Sequence, residues 1–327
     1  MKPILSIIMP SYNTSKFVDE CLPTFIDDYL IGKVVIYLID DGATDDTQDK
    51  IQKYVMDYPD LFKFVHKENG GHGSVINFGV HNLVKSKYFK IIDGDDYVET
   101  SSLIELVKYL LDCDDDIIIS GFYRGLPGSM DKYEPFCRNT KIKEKTTFFI
   151  KDLMDFNVLL YSCTYKTEIF TKNNIKVREK VFYEDNELRA YPLEFTNTFS
   201  YVKCYPYCYR YGVAGQSVSL TSTIKHKEDA QLVMNDLMVF YSKIRNKIEL
   251  RNIIGSIIAS NINFYTEILC AANNKEMISE CRKKWSLYKN NKEIKKYILA
   301  SSRYKKILIL TNFLTAPLFK KRWQKKQ

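Results

Sequence analysis

Residues 88–97 read YFKIIDGDDY and join an apolar run to a dense group of carboxylates. The first five residues are aromatic or apolar apart from one lysine, which is typical of a strand buried on both faces. Asp93, Asp95 and Asp96 then follow within four residues. Carboxylates crowded at a strand end repel one another and lose hydration, so the pattern favours a cation or a donor-rich ligand between them.

Two interpretations of this turn remain open from the residues alone. Asp93 and Asp95 are two residues apart, and beyond the strand both side chains can turn toward one bound ion. Oxygen-only ligands suit a hard divalent cation such as Mg²⁺ or Mn²⁺, which commonly bridges to a substrate phosphate. The other interpretation is an acidic turn that only ends a strand.

Further apolar runs and helical spacings predict an α/β fold around this strand. The other predicted strands are Leu5–Met9, Val34–Ile39, Leu61–Val65 and Asp116–Ser120. The predicted helices begin at Ser15, with a kink at Pro23, and near Thr44, and cover Ser74–Val84 and Ser101–Leu111. This alternation predicts a mostly parallel sheet with helices on both faces. Ligands bind at the carboxyl ends of such strands, where the turns at Pro10, Asp40 and Asp93 fall.

Composition and charge narrow the class of protein. Hydrophobic residues make up 45% of the 327 residues and charged residues 27%, as in ordinary globular chains. The net charge of +8 resides in residues 301–327, which hold eight lysines and arginines and no acid. The rest of the chain is close to neutral and offers no nucleic-acid-binding surface by bulk charge.

The cysteines and the chain start favour a cytoplasmic protein. None of the eight cysteines forms a Cys-x-x-Cys pair, which argues against a zinc site. The apolar start stops at Pro10 and lacks the cleavage pattern of a signal peptide. We therefore expect reduced cysteines and a cytoplasmic location.

Six short motifs, in order, resemble those of the family 2 glycosyltransferases, which have the GT-A fold. They are Pro10-Ser11-Tyr12-Asn13, Asp40-Asp41-Gly42-Ala43-Thr44-Asp45, Asn69-Gly70-Gly71, Asp93-Gly94-Asp95, Glu184-Asp185, and Tyr209-Arg210-Tyr211-Gly212 followed by Gln216-Ser217-Val218-Ser219. The resemblance covers roughly residues 3–220, and the shared order carries it, because each motif alone is weak. The type it suggests builds bacterial surface polysaccharides.

The resemblance implies a reaction and a set of site residues. It implies transfer of a sugar, with inversion, from a nucleotide-sugar donor, with UDP as the expected nucleotide, to a hydroxyl of a glycan or lipid-linked acceptor. It also implies a Mn²⁺ or Mg²⁺ ion on Asp95 with Asp93 in support. The implied nucleotide-binding residues are Pro10, Tyr12, Asn13, Asp41, Gly71, Asp93 and Gly94, with Asp41 accepting from the uracil N3–H.

The implied base is Asp185, whose weak basicity in water would be improved by burial or by the neighbouring acid Glu184. The structural alternative is an acidic pair at the start of a helix, where the helix dipole favours it. Lys166 and Arg210 are candidates to contact a phosphate or the acceptor.

One element departs from the family pattern. The family commonly continues from Gly-Gly to Ala-Arg-Asn, in which the arginine helps to hold the nucleotide, whereas this chain has Val75-Ile76-Asn77. Ile76 cannot donate to a base or a phosphate. His72 or a lysine elsewhere is then a candidate substitute, or the donor pocket differs. Taken alone, His72 is interpreted as a polar loop residue.

Residues 121–180 are predicted to be irregular and aromatic. The stretches Gly121–Arg124 and Tyr161–Lys166 are candidates for the walls of an acceptor pocket, because aromatic faces suit sugar rings. Packing in a core explains the same aromatics equally well.

The predicted domains are a GT-A domain over residues 1–224 and a helical region over 225–327. Ile307–Phe319 is apolar, has basic residues on both sides, and is too short to cross a bilayer. The tail over residues 303–326, including Trp323, is therefore predicted to lie on the inner face of the cell membrane. The alternative is a tail helix that packs on its own domain.

Two other functions compete with the transferase. One alternative is a non-catalytic nucleotide-sugar-binding scaffold of the same fold. It is suggested by Ile76, which stands where the family commonly has an arginine. A nicotinamide-dependent dehydrogenase is disfavoured, because the first strand is followed by Pro-Ser-Tyr-Asn and not by Gly-x-Gly-x-x-Gly.

Overall fold

The computed structural model describes residues 2–126, 128–133, 142–153, 158–212, 220–272, 275–300, 303–313 and 315. The chain divides into two compact units, residues 1–211 and residues 212–327. The domain boundary after residue 224 stays a prediction.

The first unit is built on one sheet of ten strands. The strands are β1 Leu5–Ser11, β2 Val34–Asp40, β3 Phe62–His66, β4 Tyr88–Ile91, β5 Tyr97–Val98, β6 Ile117–Leu126, β7 Ser129–Tyr133, β8 Phe148–Phe149, β9 Cys163–Lys166 and β10 Thr198–Arg210. The helices are α1 Ser15–Cys21, α2 Thr47–Asp57, α3 His72–Phe78, α4 Thr100–Asp112, α5 Thr167–Lys172 and α6 Asp185–Ala190.

The sheet order is β3-β2-β1-β4-β9-β6-β10-β5, with β7 beside β6 and β8 beside β10. Strands β1 to β4 are mutually parallel where they pair, and β6 is parallel to β10. Strand β9 is inserted antiparallel between β4 and β6. The α/β class of the GT-A fold is therefore confirmed, and the carboxyl ends of β1, β2 and β4 share one edge of the sheet.

Several predicted helix bounds shift for local reasons. Helix α1 ends at Cys21, and Leu22–Phe25 continues as a 3₁₀ turn with Pro23 in its first residues, where the missing N–H costs nothing. Helix α3 begins at His72, two residues before the predicted start, and ends in a wider turn, Gly79–Leu83.

The prediction of an irregular segment over residues 121–180 is wrong where β6, β7, β8, β9 and α5 lie. Strand β6 continues past Ser120 to Leu126 and turns back as β7. Gly121 permits the extension, because a Cβ there would lie 2.4 Å from the ring of Tyr205. A glycine inside a strand often marks such a close approach of neighbouring groups.

Strand β4 is buried throughout and contains a charged residue. The Lys90 side chain has no exposed surface, and its Nζ donates to the carbonyl oxygens of Tyr161 at 2.7 Å and Cys163 at 3.1 Å. Burial lowers the pKa of Lys90 to about 8. The lysine thus ties the central strand to the segment that enters β9.

The second unit is helical. Its helices are α7 Leu220–Lys225, α8 Lys227–Lys243, α9 Ile248–Ala272, α10 Lys275–Tyr288, α11 Lys292–Ala300 and α12 Arg303–Leu310. Across the described ranges, none of the helices combines the length and the apolar character that a membrane crossing requires.

The apolar tail segment is divided between the interior and the surface of this unit. Helix α12 ends at Leu310, and Leu308 and Phe313 pack in a core with Tyr265 and Leu269. Leu310, by contrast, is 83% exposed. Residues 316–327, including Trp323, lie outside the described residues.

Candidate active site

Backbone contacts hold the turns after β1, β2 and β4 together. The Gly94 N–H donates to the Pro10 carbonyl at 3.0 Å, and the Asp41 N–H donates to the Ser11 carbonyl at 3.3 Å. A Cβ at Gly94 would lie 2.7 Å from the Pro10 oxygen, so a glycine is needed for this approach. Three of the predicted nucleotide-binding positions, Pro10, Asp41 and Gly94, are therefore neighbours.

Asn13 and Tyr12 lie at the open side of these turns. Asn13 has a positive φ of 54°, and its side-chain oxygen accepts from the Thr44 N–H at 2.8 Å. This bond joins the first turn to the second. The Tyr12 ring is 50% exposed and is available to a planar ligand.

Asp41 is held by a lysine and by a loop. Its carboxylate accepts from Lys67 Nζ at 2.7 Å, from the Gly70 N–H at 3.0 Å and from the Gly71 N–H at 2.8 Å. Gly71 has a φ of +80°, which lets the loop turn its amides inward. Lys67 therefore places a positive charge where the nucleotide base is predicted to bind. The sequence analysis does not single out this lysine.

Three carboxylates meet at the end of β4. Each of Asp93, Asp95 and Asp96 offers an oxygen within 4.8 Å of the others, and this is the only such acidic, His or Cys group among the residues searched, which are those the structure describes. The predicted pair Asp93 and Asp95 is thus brought together, and Asp96 joins it.

Asp96 is satisfied by the protein itself. Its two carboxylate oxygens accept from the Tyr207 hydroxyl at 2.6 Å and from the Arg210 N–H at 2.7 Å. Burial, followed by the charges of Asp93 and Asp95, raises the pKa of Asp96 well above its usual range. We therefore interpret Asp96 as a buried structural residue that holds the turn in place.

Asp95 has the opposite character. Its side chain makes no hydrogen bond or ion pair with another residue that the structure describes, and burial and the charge of Asp93 raise its pKa to about 6. A partly buried carboxylate without a direct ion-pair partner among the described residues fits a divalent cation, and the all-oxygen donor set suits Mg²⁺ or Mn²⁺. The residues present therefore fit the expected metal.

His72 bridges the carboxylate cluster to the second acidic motif. Its Nε2 lies 3.0 Å from Asp93 Oδ1 and its Nδ1 lies 2.5 Å from Glu184 Oε1. Although burial opposes the charged ring, the bonds to both acids raise the pKa of His72 well above its usual range. The interpretation of His72 as an ordinary loop residue is wrong, because it is the first residue of α3 and its ring contacts Glu184, which lies 112 positions away in the chain.

Asp185 begins α6, directly after Glu184. It is half-buried, and the one hydrogen bond that its carboxylate accepts from a described residue comes from Asn186 Nδ2 at 3.1 Å. Burial, followed by the charge of Glu184, raises the pKa of Asp185 to about 7. The two acids differ in setting, because Glu184 is paired with His72 whereas Asp185 retains oxygen lone pairs for a further donor.

Three sequence-predicted positions lie elsewhere or are engaged. Lys166 pairs with Tyr88 in the sheet, at the end of β4 opposite to Asp93, and its Nζ contacts Asp114 at 3.0 Å. Arg210 lies beside the cluster, but its side chain is buried and pairs with Glu20 at 2.8 Å. Ile76 is 1% exposed and belongs to the core.

We expect His72→Ala to destabilise the protein by about 2 kcal/mol, because it leaves the nearly buried Glu184 carboxylate without its donor. Thermal and urea unfolding in the presence of EDTA measure the change. His66→Ala is the matched control, because His66 is 55% exposed and its partner Asp40 keeps a second donor, the Ala43 N–H at 2.7 Å, so its loss should cost less than about 1 kcal/mol. Equal effects of the two changes would contradict a buried bridge at His72.

Comparison with other sequences finds glycosyltransferases. The profile of "Glycosyl transferase family 2" matches residues 6–170. An uncharacterized glycosyltransferase of Mycoplasma pneumoniae, the MG025 homolog, is 26% identical over 187 residues, which are 56% of this chain and 60% of that protein. The uncharacterized glycosyltransferase EpsJ of Bacillus subtilis is 27% identical over 191 residues, 57% of this chain and 55% of its own length. The chain thus spans less than two thirds of both relatives.

Comparison with solved structures finds the same fold at low identity. S. aureus TarS 1–349 in complex with UDP-GlcNAc superposes with a TM-score of 0.56 at 16% identity, covering 94% of this chain and 92% of that one. The mannosyltransferase PcManGT of Pyrobaculum calidifontis, in complex with GDP-Man and Mn²⁺, gives a TM-score of 0.55 at 12% identity, with 98% and 87% coverage. At these identities the likeness concerns the fold.

Proposed function

This chain belongs to glycosyl transferase family 2, and from that membership we propose that it moves a sugar from a nucleotide-sugar donor to a hydroxyl of a glycan or lipid-linked acceptor. One observation carries the proposal, namely the bridge from Asp93 through His72 to Glu184. The bridge joins the turn whose carboxylates are suited to a metal ion to the pair Glu184 and Asp185, which contains the candidate catalytic base.

The proposed donor is a UDP-sugar bound across the turns after β1 and β2. Tyr12, with its ring half exposed, and Asn13 would border the base, and Pro10, Gly71 and Gly94 would let the backbone approach the ligand. Asp41 would accept from the base N–H, since its three donors leave one lone pair of the carboxylate unused. TarS was solved with UDP-GlcNAc and PcManGT with GDP-Man, so the fold accommodates more than one nucleotide.

Asp95, supported by Asp93, would hold a Mn²⁺ or Mg²⁺ ion. Such an ion would neutralise the charge that develops on the departing diphosphate. His72 would keep Asp93 ionised and oriented, because its hydrogen bond and charge lower the pKa of Asp93 against the effect of burial.

Asp185 would act as the base in a single displacement. It would take the proton of the acceptor hydroxyl while that oxygen forms a bond to the anomeric carbon. The bond from that carbon to the diphosphate oxygen would break, and the configuration would invert. A base of pKa near 7 is well matched to neutral pH, because it is ionised and still accepts a proton readily.

Activity is expected to fall on the acid side of neutrality. Asp185 works only when ionised, and its pKa is raised to about 7, so kcat/KM should decrease as the pH is lowered through 7. Transfer to a fixed acceptor, measured from pH 5.5 to 8.5 at saturating metal, tests this. A value of kcat/KM that stays constant down to pH 5.5, as a base with the ordinary Asp pKa of about 4 would give, would contradict the assignment.

We further propose that the enzyme works in surface-polysaccharide synthesis at the cytoplasmic face of the membrane, held there by residues 303–326. The basic residues in this stretch and the exposed Leu310 support contact with an anionic surface. The burial of Leu308 and Phe313 limits the apolar side chains that can insert. Sedimentation with vesicles containing anionic lipid, against neutral vesicles, tests the contact.

The experiment that tests the function is the melting temperature with UDP, with and without Mn²⁺. A ligand at ~100 times its dissociation constant should stabilise the protein by about 2.7 kcal/mol. Stabilisation by GDP instead of UDP would keep the transferase and change its donor. A metal-dependent shift without turnover over a broad acceptor panel would favour the non-catalytic scaffold, and no shift with any nucleotide would contradict the donor site.

A further inference from the structure

A row of tyrosine rings leads away from the carboxylate cluster. It starts at Tyr207, whose hydroxyl donates to Asp96 at 2.6 Å. The ring of Tyr161 packs against Tyr207, with centroids 4.9 Å apart, and stacks on Tyr209 at 4.5 Å and an interplanar angle of 19°. Tyr211 follows, 6.1 Å from Tyr209. The buried end of the row is Tyr207, and the other three rings are half-buried.

Arg124 ends this row. Its guanidinium carbon lies 3.5 Å from the centroid of Tyr211 and 5.8 Å from that of Tyr133. The guanidinium makes no hydrogen bond or ion pair with any residue in the described ranges, and its Nε is shielded from water. A shielded donor without an acceptor costs free energy, whereas stacking on a ring leaves the N–H edge of arginine available.

We propose that the tyrosine row is the acceptor subsite and that Arg124 selects an acceptor carrying an anionic group, either a phosphate or a carboxylate. Aromatic faces pack against sugar or polyol units, and the planar fork of arginine matches both anions with two parallel hydrogen bonds. The inference rests on the proposed transfer, since the row connects this anion site to the carboxylates of the reaction centre.

The chain offers no equal competitor among the cations singled out from the sequence. Lys166 is paired with Asp114 at the far end of β4, and Arg210 is paired with Glu20. Arg124 differs from both because a ligand can bind it without first breaking an ion pair.

Affinity electrophoresis through gels containing poly(glycerol phosphate), polygalacturonate or neutral dextran tests the inference with the full chain. We expect the wild type to be retarded by one or both anionic polymers and not by dextran. Arg124→Gln should weaken that binding about tenfold, as expected for loss of a charge-assisted hydrogen bond. Arg124→Lys keeps the charge but loses the fork, so it should weaken binding by less.

Lys132→Gln is the matched control. Lys132 lies on the partner strand opposite Tyr123, and its Nζ stacks 4.9 Å from the ring of Tyr205. Neighbouring residues of a strand point to opposite faces, so Lys132 and Arg124 lie on different faces of the hairpin. Lys132→Gln therefore removes one positive charge, as Arg124→Gln does, but from the other face. Equal losses in Lys132→Gln and Arg124→Gln, or retardation of the wild type by dextran as strongly as by the anionic polymers, would overturn the proposal.

The polymer that binds more tightly identifies phosphate or carboxylate as the group recognised. The UDP and Mn²⁺ melting shift separates this inference from the proposed function. A wild type that shows the shift without preference for anionic polymers contradicts only the acceptor inference. The opposite result is an anion preference that depends on Arg124 in a wild type whose melting temperature no nucleotide changes. It would contradict the proposed transferase function and support the anion site.

Discussion

Asp95→Asn should abolish the metal-dependent stabilisation by UDP and reduce sugar transfer by about a thousandfold. The reason is local. Asp95 makes no side-chain hydrogen bond or ion pair with another described residue, and burial, followed by the charge of Asp93, raises its pKa to about 6. Its oxygens are therefore left for a cation, and the amide of asparagine replaces a charged oxygen by a neutral one. Melting with UDP, with and without Mn²⁺, and transfer rates measure the two effects.

The matched control is Asp60→Asn. Asp60 is exposed and lies two residues before β3, at the opposite edge of the sheet from the carboxylate cluster. It should leave the UDP shift and the transfer rate unchanged. The variant Asp95→Asn should fold normally, because the Asp95 side chain makes no hydrogen bond with another side chain that the structure describes. Unchanged transfer in Asp95→Asn would refute the assigned metal site.

Asp185→Asn should reduce kcat by about a thousandfold and leave the UDP and Mn²⁺ shift intact. Asparagine keeps the size of the side chain and can still accept from Asn186, but it cannot take a proton from an acceptor hydroxyl. The half-buried position and the neighbouring charge of Glu184, which raise the pKa of Asp185, support this role. Rates at saturating donor and acceptor, together with the melting shift, separate catalysis from binding.

Asp112→Asn serves as the control for the base. Asp112 is exposed at the end of α4, near the amino ends of the strands, and its change should leave kcat intact. Two outcomes would count against Asp185. Its replacement could leave kcat unchanged, or it could remove the nucleotide shift together with turnover, which would indicate a binding role.

The local patterns predicted the parallel half of the sheet well. Strands β1, β2 and β4 are short apolar runs that end in a proline or in aspartates, and runs of this kind are buried wherever helices cover both faces. The same rule predicted that their carboxyl ends meet, which the contact between Gly94 and Pro10 confirms. The antiparallel insertion of β9 was not predictable, because its partners lie far away in sequence and its strand is four residues long.

The sequence by itself determined the α/β class, the family and the adjacency of Asp93 and Asp95, because those follow from local periodicity and from residues two positions apart. Only the tertiary structure decided which acids are already satisfied, as Asp96 is by Tyr207 and Arg210, and which are left for a ligand, as Asp95 is. It also decided that His72 joins Asp93 to Glu184 and that Lys166 lies at the wrong end of β4. Hydrogen bonds and burial depend on distances between side chains that folding brings together, and linear spacing does not encode those distances.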